Sequence, residues 1–217
     1  MMRGDGVPAQ LNEQTIRAAL VTWADVVYLQ TKRLWDSTEH LFAAARDERI
    51  REQHVEQGSP AEWQGFVDEA SRELTPRALN TAHADKYFLL LAVAQVIKCA
   101  SRLPDDGLPS FGHESTLTLL RNIEEHWEDP TGRSATELRE SIPDIAPGRL
   151  RFDGKRVWIE DVSLADVVEW VSSVELRVRE RASRLGPELP PRDSAQWLMD
   201  MPPNLQLHLL ARLADDG

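Results

Sequence analysis

The stretch Tyr87-Phe-Leu-Leu-Leu-Ala-Val-Ala-Gln-Val-Ile-Lys-Cys-Ala100 decides the fold. It is apolar nearly all round a helix, so it reads as the heart of a central, most buried helix running from about Pro76 to Leu103. Its longest apolar run, Tyr87–Ile97, is too short to cross ~30 Å of hydrocarbon as a helix, and Gln95 interrupts it. Cys99, the one cysteine, reads as a small buried hydrophobe. A single cysteine also permits no internal disulfide and no Cys-x-x-Cys metal or redox motif.

Upstream, residues 1–10 read as a loose lead-in without the apolar core of a signal peptide. Asn12 is placed to cap a helix whose residues Ile16, Leu20, Trp23 and Val27 recur at spacings of three and four. No Gly or Pro interrupts Leu11 to Gln57, which is long for one globular helix. A bend or break is therefore expected near Asp36-Ser37-Thr38, with Leu41, Phe42 and Ile50 on the second piece. Gly58-Ser59-Pro60-Ala61-Glu62 is a stop and a restart: glycine ends one helix, serine caps the next, proline fits its first turn and glutamate completes the capping box. Thr75-Pro76 repeats the device.

Downstream, Pro104–Gly107 and Pro109-Ser110 make a loop. A helix begins near Glu114 or Ser115 and must end by Pro130-Thr131-Gly132. Ser134-x-x-Glu137 is read as the cap of a short helix broken at Pro143 and Pro147. Asp153-Gly154, between Leu150-Arg-Phe and Lys155-Arg-Val-Trp-Ile, predicts a β-hairpin over about 149–159. Its Arg149, Arg151, Lys155 and Arg156 are the one local basic cluster. They are read as solvated charges, with phosphate contact the alternative. Ser163-x-x-Asp166 caps a last long helix carrying Val167, Val168, Trp170, Val171, Val174 and Val178.

These elements give an all-α fold, a bundle of about four or five helices with one small hairpin. The bundle domain is expected over 1–186. Residues 187–217 form a Pro-punctuated tail that packs on the body or on a partner. No repeat or low-complexity tract is present.

The 217 residues hold 25 Lys and Arg against 36 Asp and Glu, a net charge of −11. That excludes nucleic-acid binding by a broad basic surface, because such binding relies on cations displacing phosphate counterions; a small local site stays open. A soluble, cytoplasmic protein without membrane contact is expected. There is no Gly-rich phosphate loop, no Gly-x-Ser-x-Gly and no His-Glu-x-x-His. None of the six histidines has a glutamate three residues before it, so the Glu-x-x-His pairs of di-iron bundles are missing and neither a metal nor a cofactor is expected. His83 reads as a partly buried, satisfied histidine. His40, His54, His113 and His208 read as surface or loop residues.

The functional signal is Leu117-Thr-Leu-Leu-Arg-Asn-Ile-Glu-Glu-His-Trp-Glu-Asp129. At ~100° per residue, Leu119, Leu120, Ile123 and Trp127 share one face that docks on the core. His126 falls at the border of that face, with Asn122 one turn before it. Arg121 lies ~140° from His126 around the axis. A kink, or a second copy of the helix antiparallel across a two-fold axis, brings the two together. An imidazole gives and takes a proton near neutral pH, and an arginine braces a phosphate with two hydrogen bonds.

Arg121-Asn122-Ile123-Glu124-Glu125-His126 resembles the Arg-polar-x-x-x-His signature of the HEPN (higher eukaryotes and prokaryotes nucleotide-binding) superfamily. A second Arg-x-x-x-x-His, Arg49 to His54, has apolar Ile50 where that family prefers a polar residue. The resemblance implies an all-α bundle that dimerises and pairs its motifs in a shared cleft. It implies a metal-independent endoribonuclease, of the kind found as toxins or in phage defence, or a member that has lost activity and only binds. His126 is then the proton-transfer group at the ribose 2′-OH or the leaving oxygen. Arg121 stabilises charge on phosphate, Asn122 orients substrate or His126, and the cut leaves a 2′,3′-cyclic phosphate. The expected partners are RNA, a second copy of the chain and a protein partner or antitoxin. A different class competes: a non-enzymatic, acidic helical interaction protein, an adaptor or inhibitor, in which Arg121–Glu125 is only a surface ion pair.

Overall fold

The computed structural model describes residues 13–56, 61–103, 107–126, 131–141 and 149–185, together with positions 129, 189, 201 and 206. Among them are five helices and one small sheet: α1 (Glu13–Glu56), α2 (Ala61–Ala100), α3 (Glu114–Glu125), α4 (Arg133–Ser141), β1 (Leu150–Phe152), β2 (Val157–Ile159), β3 (Val162–Ser163) and α5 (Leu164–Leu185). The all-α bundle with its hairpin is what the periodicity requires. No helix among the described residues is long and apolar enough to cross a membrane.

The hub of the bundle is α1, which packs against α2, α5 and β1. Ile16, Leu20, Val21, Ala24, Val27, Tyr28, Leu34 and Trp35 are buried along it. The central place expected for the 76–103 helix therefore belongs to α1. Leu89, Leu90, Ala92, Val93 and Val96 of α2 do enter the core, but Leu79 and Phe88 on the same helix are exposed. α5 is the third pillar, with Leu164, Val167, Val168, Val171, Val174 and Val178 all buried.

Two expected interruptions are absent. α1 runs unbroken through Asp36-Ser37-Thr38. There Ser37 Oγ donates to Leu34 O at 3.3 Å, so the hydroxyl back-bonds within the helix instead of ending it. Trp35 and Phe42, on either side, both meet the ring of Phe152 from β1, at 6.2 and 5.7 Å between centroids. α2 likewise continues through Pro76, which the sequence reading placed at a helix start. An internal proline removes one ladder hydrogen bond and costs ~3 kcal/mol. Packing along α1 outweighs that cost, because tertiary burial more than propensity sets helix length. The Gly58-Ser59-Pro60 restart falls between the ends of α1 and α2; those three residues, like residues 1–10, Asn12, Pro104, Trp127, Pro143 and Pro147, lie outside the described ones.

The sheet is antiparallel in the order β1-β2-β3, with Arg151 opposite Trp158 and Ile159 opposite Val162. Gly154 takes φ +86 at the first turn, as the Asp-Gly pair predicts. β3 extends the expected hairpin. The Glu160-Asp161 turn that starts it holds Glu160 at φ 56, a left-handed conformation tied down by paired contacts: Glu160 N–H donates to Arg149 O at 2.9 Å, and Arg149 N–H donates to Glu160 Oε1 at 2.6 Å. Ser163 caps α5, accepting from Ala165 N–H at 3.1 Å. Ser134 does not cap α4: the helix starts at Arg133, Gly132 O accepts its first bond, and Glu137 instead pairs with Arg133 at 2.6 Å. Of the tail, Met201 is buried and Leu189 packs against the same core. The rest of 187–217, Gln206 aside, lies outside the described residues.

Candidate active site on the third helix

Two anchors place α3. At its start, the loop Gly107–Gly112 is pinned to α5: Trp170 Nε1–H donates to Pro109 O at 2.9 Å, and Phe111 stacks on the Trp170 ring at 5.0 Å. Along its length, Leu117 and Leu120 are buried while Leu119 and Ile123 pack half-buried against the core. Glu124 continues the phase of Leu117 and Leu120, so it points toward α2. There its Oε1 meets Lys86 Nζ at 2.5 Å. The Lys86 side chain is only 2% exposed, so a buried charge fastens α3 to α2.

His83 stands one turn before Lys86 on α2. Partial burial pulls its pKa below the ordinary imidazole value, and the Lys86 cation pulls the same way; the Glu124 carboxylate opposes both. His83, Lys86 and Glu124 thus form one electrostatic group at the α2–α3 seam. The sequence reading missed its centre. The available signal was phase: Lys86 falls among Ala82, Leu89 and Leu90, and Glu124 falls in line with Leu117 and Leu120.

The motif residues occupy the outer side and the end of α3. Arg121 donates from both Nε and one terminal nitrogen to Asn122 Oδ1, at 3.2 and 2.9 Å, and from the other to Glu125 Oε1 at 3.1 Å. Arg121 and Asn122 are therefore brought together directly, and Glu125 joins them. The Arg121 and Glu125 side chains are 26% and 29% exposed, so the pair is worth under ~1 kcal/mol and is easily exchanged for another anion. His126 is the C-cap residue, past the last helical turn. Its backbone N–H donates to Asn122 O at 3.0 Å and the residue is exposed. The backbone links His126 to Asn122 across the last turn of α3.

The remaining histidines are accounted for differently. His113 precedes α3 and lies against the Phe111 ring at 5.4 Å. His40 is exposed on α1. His54 lies on α1, and its side chain, like His208, is outside the described set. Cys99 is half-buried against the core, and burial pushes its thiol pKa up, the opposite of what a nucleophilic thiolate needs. Among the described residues no three His, Cys, Asp or Glu side chains converge as a metal site.

Comparison with family models, with curated proteins and with solved structures finds no match.

Proposed function

We propose that the chain is a HEPN-like, metal-independent endoribonuclease, a toxin or phage-defence component that works as a homodimer. The observation that supports it is the Arg121-Asn122-x-x-x-His126 arrangement: a guanidinium held by a weak, half-exposed pair, and an exposed histidine at the end of the same short helix. In the proposed reaction the ribose 2′-oxygen attacks the adjacent phosphorus. The 2′-O–P bond forms and the P–O5′ bond breaks. His126 takes the 2′-OH proton or supplies one to the leaving 5′-oxygen. Arg121 leaves Glu125 for the phosphate, whose charge rises in the transition state. The two groups act across copies, the second copy's His126 facing the first copy's Arg121 across a two-fold axis.

The second reading, an acidic helical interaction protein, has its own support. Arg121 is already satisfied within α3, and Leu29, Leu79, Phe88 and Leu176 are large exposed apolar side chains.

Incubation with total RNA in excess chelator separates the two. The enzyme reading expects cleavage that His54→Ala retains and His126→Ala lowers ~10²- to 10⁴-fold, the usual loss for a proton-transfer group. Full cleavage by His126→Ala sinks it.

A further inference from the structure

On the helices, Arg17, Arg33, Arg121, Arg133, Arg177 and Arg179 each pair with a carboxylate. The hairpin gathers four cations outside such pairs in one short stretch. Arg149, Arg151, Lys155 and Arg156 are all exposed, and none of the four has a carboxylate ion-pair partner among the described residues. Of the nearby acids, Asp153 feels the Arg156 charge without a close ion pair. Asp153 Oδ1 accepts the backbone N–H groups of Lys155 and Arg156 at 2.9 and 2.8 Å, and Glu160 is buried against the Arg149 backbone.

The sheet sorts these residues by its period of two. Leu150, Phe152, Val157, Ile159 and Val162 face the core. Arg149, Arg151, Arg156 and Trp158 fall on the outer face. The Arg151 guanidinium carbon lies 4.7 Å from the Trp158 ring centroid and that of Arg156 lies 5.4 Å from it. A half-buried indole with two guanidinium groups over its ring thus stands on the outer face of the sheet, among exposed cations.

We propose that this outer sheet face binds single-stranded RNA, with bases stacking on Trp158 and the arginine planes and phosphates meeting Arg149, Arg151, Lys155 and Arg156. The combination is what selects the occupant. Phosphate needs the cations, a base needs a flat aromatic surface, and single-stranded nucleic acid supplies both ligands at once. An acidic peptide uses the cations but leaves the indole idle. The surface would supply the attraction for RNA that the acidic surroundings of Arg121 and His126 lack. The choice of RNA over DNA rests on the ribonuclease reading.

The test is fluorescence anisotropy of a short, mixed-sequence, labelled single-stranded RNA, with every protein carrying His126→Ala to prevent cutting. Arg151→Gln with Arg156→Gln is expected to weaken binding at least tenfold. It should also lower the slope of log affinity against log salt by about 1.4, at ~0.7 per phosphate contact. Trp158→Leu is expected to weaken binding about tenfold, and Trp158→Phe to restore most of it; circular dichroism of each variant guards against misfolding. Unchanged binding in the hairpin variants overturns the proposal. So does a parent protein that binds no RNA, or displacement of RNA by polyglutamate that binds as tightly, which would make the face an acidic-protein dock. Hairpin-dependent binding without His126-dependent cleavage keeps this surface and removes the ribonuclease reading. His126-dependent cleavage with full RNA binding by the hairpin variants does the reverse.

Discussion

Lys86 is the residue whose burial says most about how α3 is held. Its ammonium sits 2% exposed against a carboxylate that is 27% exposed. Neutralising the carboxylate takes an ion-pair partner from the buried cation, whereas removing the cation lets Glu124 turn to water. Glu124→Gln should therefore cost about 2 kcal/mol, below the usual range for a fully buried pair because Glu124 is partly solvated. Lys86→Met should cost less than ~1 kcal/mol or stabilise. Urea midpoints of the two variants check this, and a larger loss in Lys86→Met would contradict it. His83 beside them predicts a pH dependence. Its folded pKa is lowered, first by burial and then by Lys86, so the unfolded chain takes up the proton at higher pH than the folded one. The stability tied to His83 is complete above about pH 6.5 and is lost as pH falls through the folded value. His83→Gln should flatten the melting temperature between pH 8 and pH 5 relative to the parent chain; an identical pH profile would show that this imidazole does not report on folding.

At the scale of elements, local chemistry was readable wherever a short-range device acted alone. Asp153-Gly154 marks a hairpin because its turn needs a residue with positive φ, and Gly154 takes it. Ser163 marks a helix start because its hydroxyl has a backbone N–H two residues ahead to accept. The misreadings come where packing overrides those devices. Pro76 and Ser37-Thr38 look like ends, yet α2 and α1 carry through them along a shared interface. β3 was missed because a two-residue strand has too little pattern to show. The joint between α1 and α5 was equally hidden, since its partners are 147 positions apart: Tyr28 O–H donates to Glu175 Oε2 at 2.9 Å, and Arg179 Nε donates to Oε1 of the same carboxylate at 2.7 Å. Glu175 is wholly buried, so Tyr28→Phe should cost about 1.5–3 kcal/mol, the range for a hydrogen bond to a charged group. A shift of the urea midpoint at constant slope is the expected readout, and an unmoved midpoint would mean that another donor replaces the phenol.

At the scale of the whole molecule, the candidate site divides in the same way. Arg121, Asn122 and His126 are adjacent in sequence, so their spacing could be read directly. The seam that orients them, Lys86 with Glu124, joins two helices and carries no linear signature. The proposed two-fold pairing makes a specific demand on the assembled protein. If Arg121 and His126 act across copies, refolding an equal mixture of Arg121→Ala and His126→Ala should recover about a quarter of the parent activity: half the dimers are mixed, and each has one of two intact sites. No recovery would place both residues in one copy. The central claim, that this helix cuts RNA by attack of the 2′-oxygen under His126 control, is tested most directly by the chemistry of the cut. RNA digested by the parent chain in excess chelator should carry 2′,3′-cyclic phosphate on the upstream fragment and 5′-hydroxyl on the downstream one, with both ends missing from the His126→Ala digest. A 3′-hydroxyl facing a 5′-phosphate would show that water, not the ribose, attacks phosphorus, and would contradict the account.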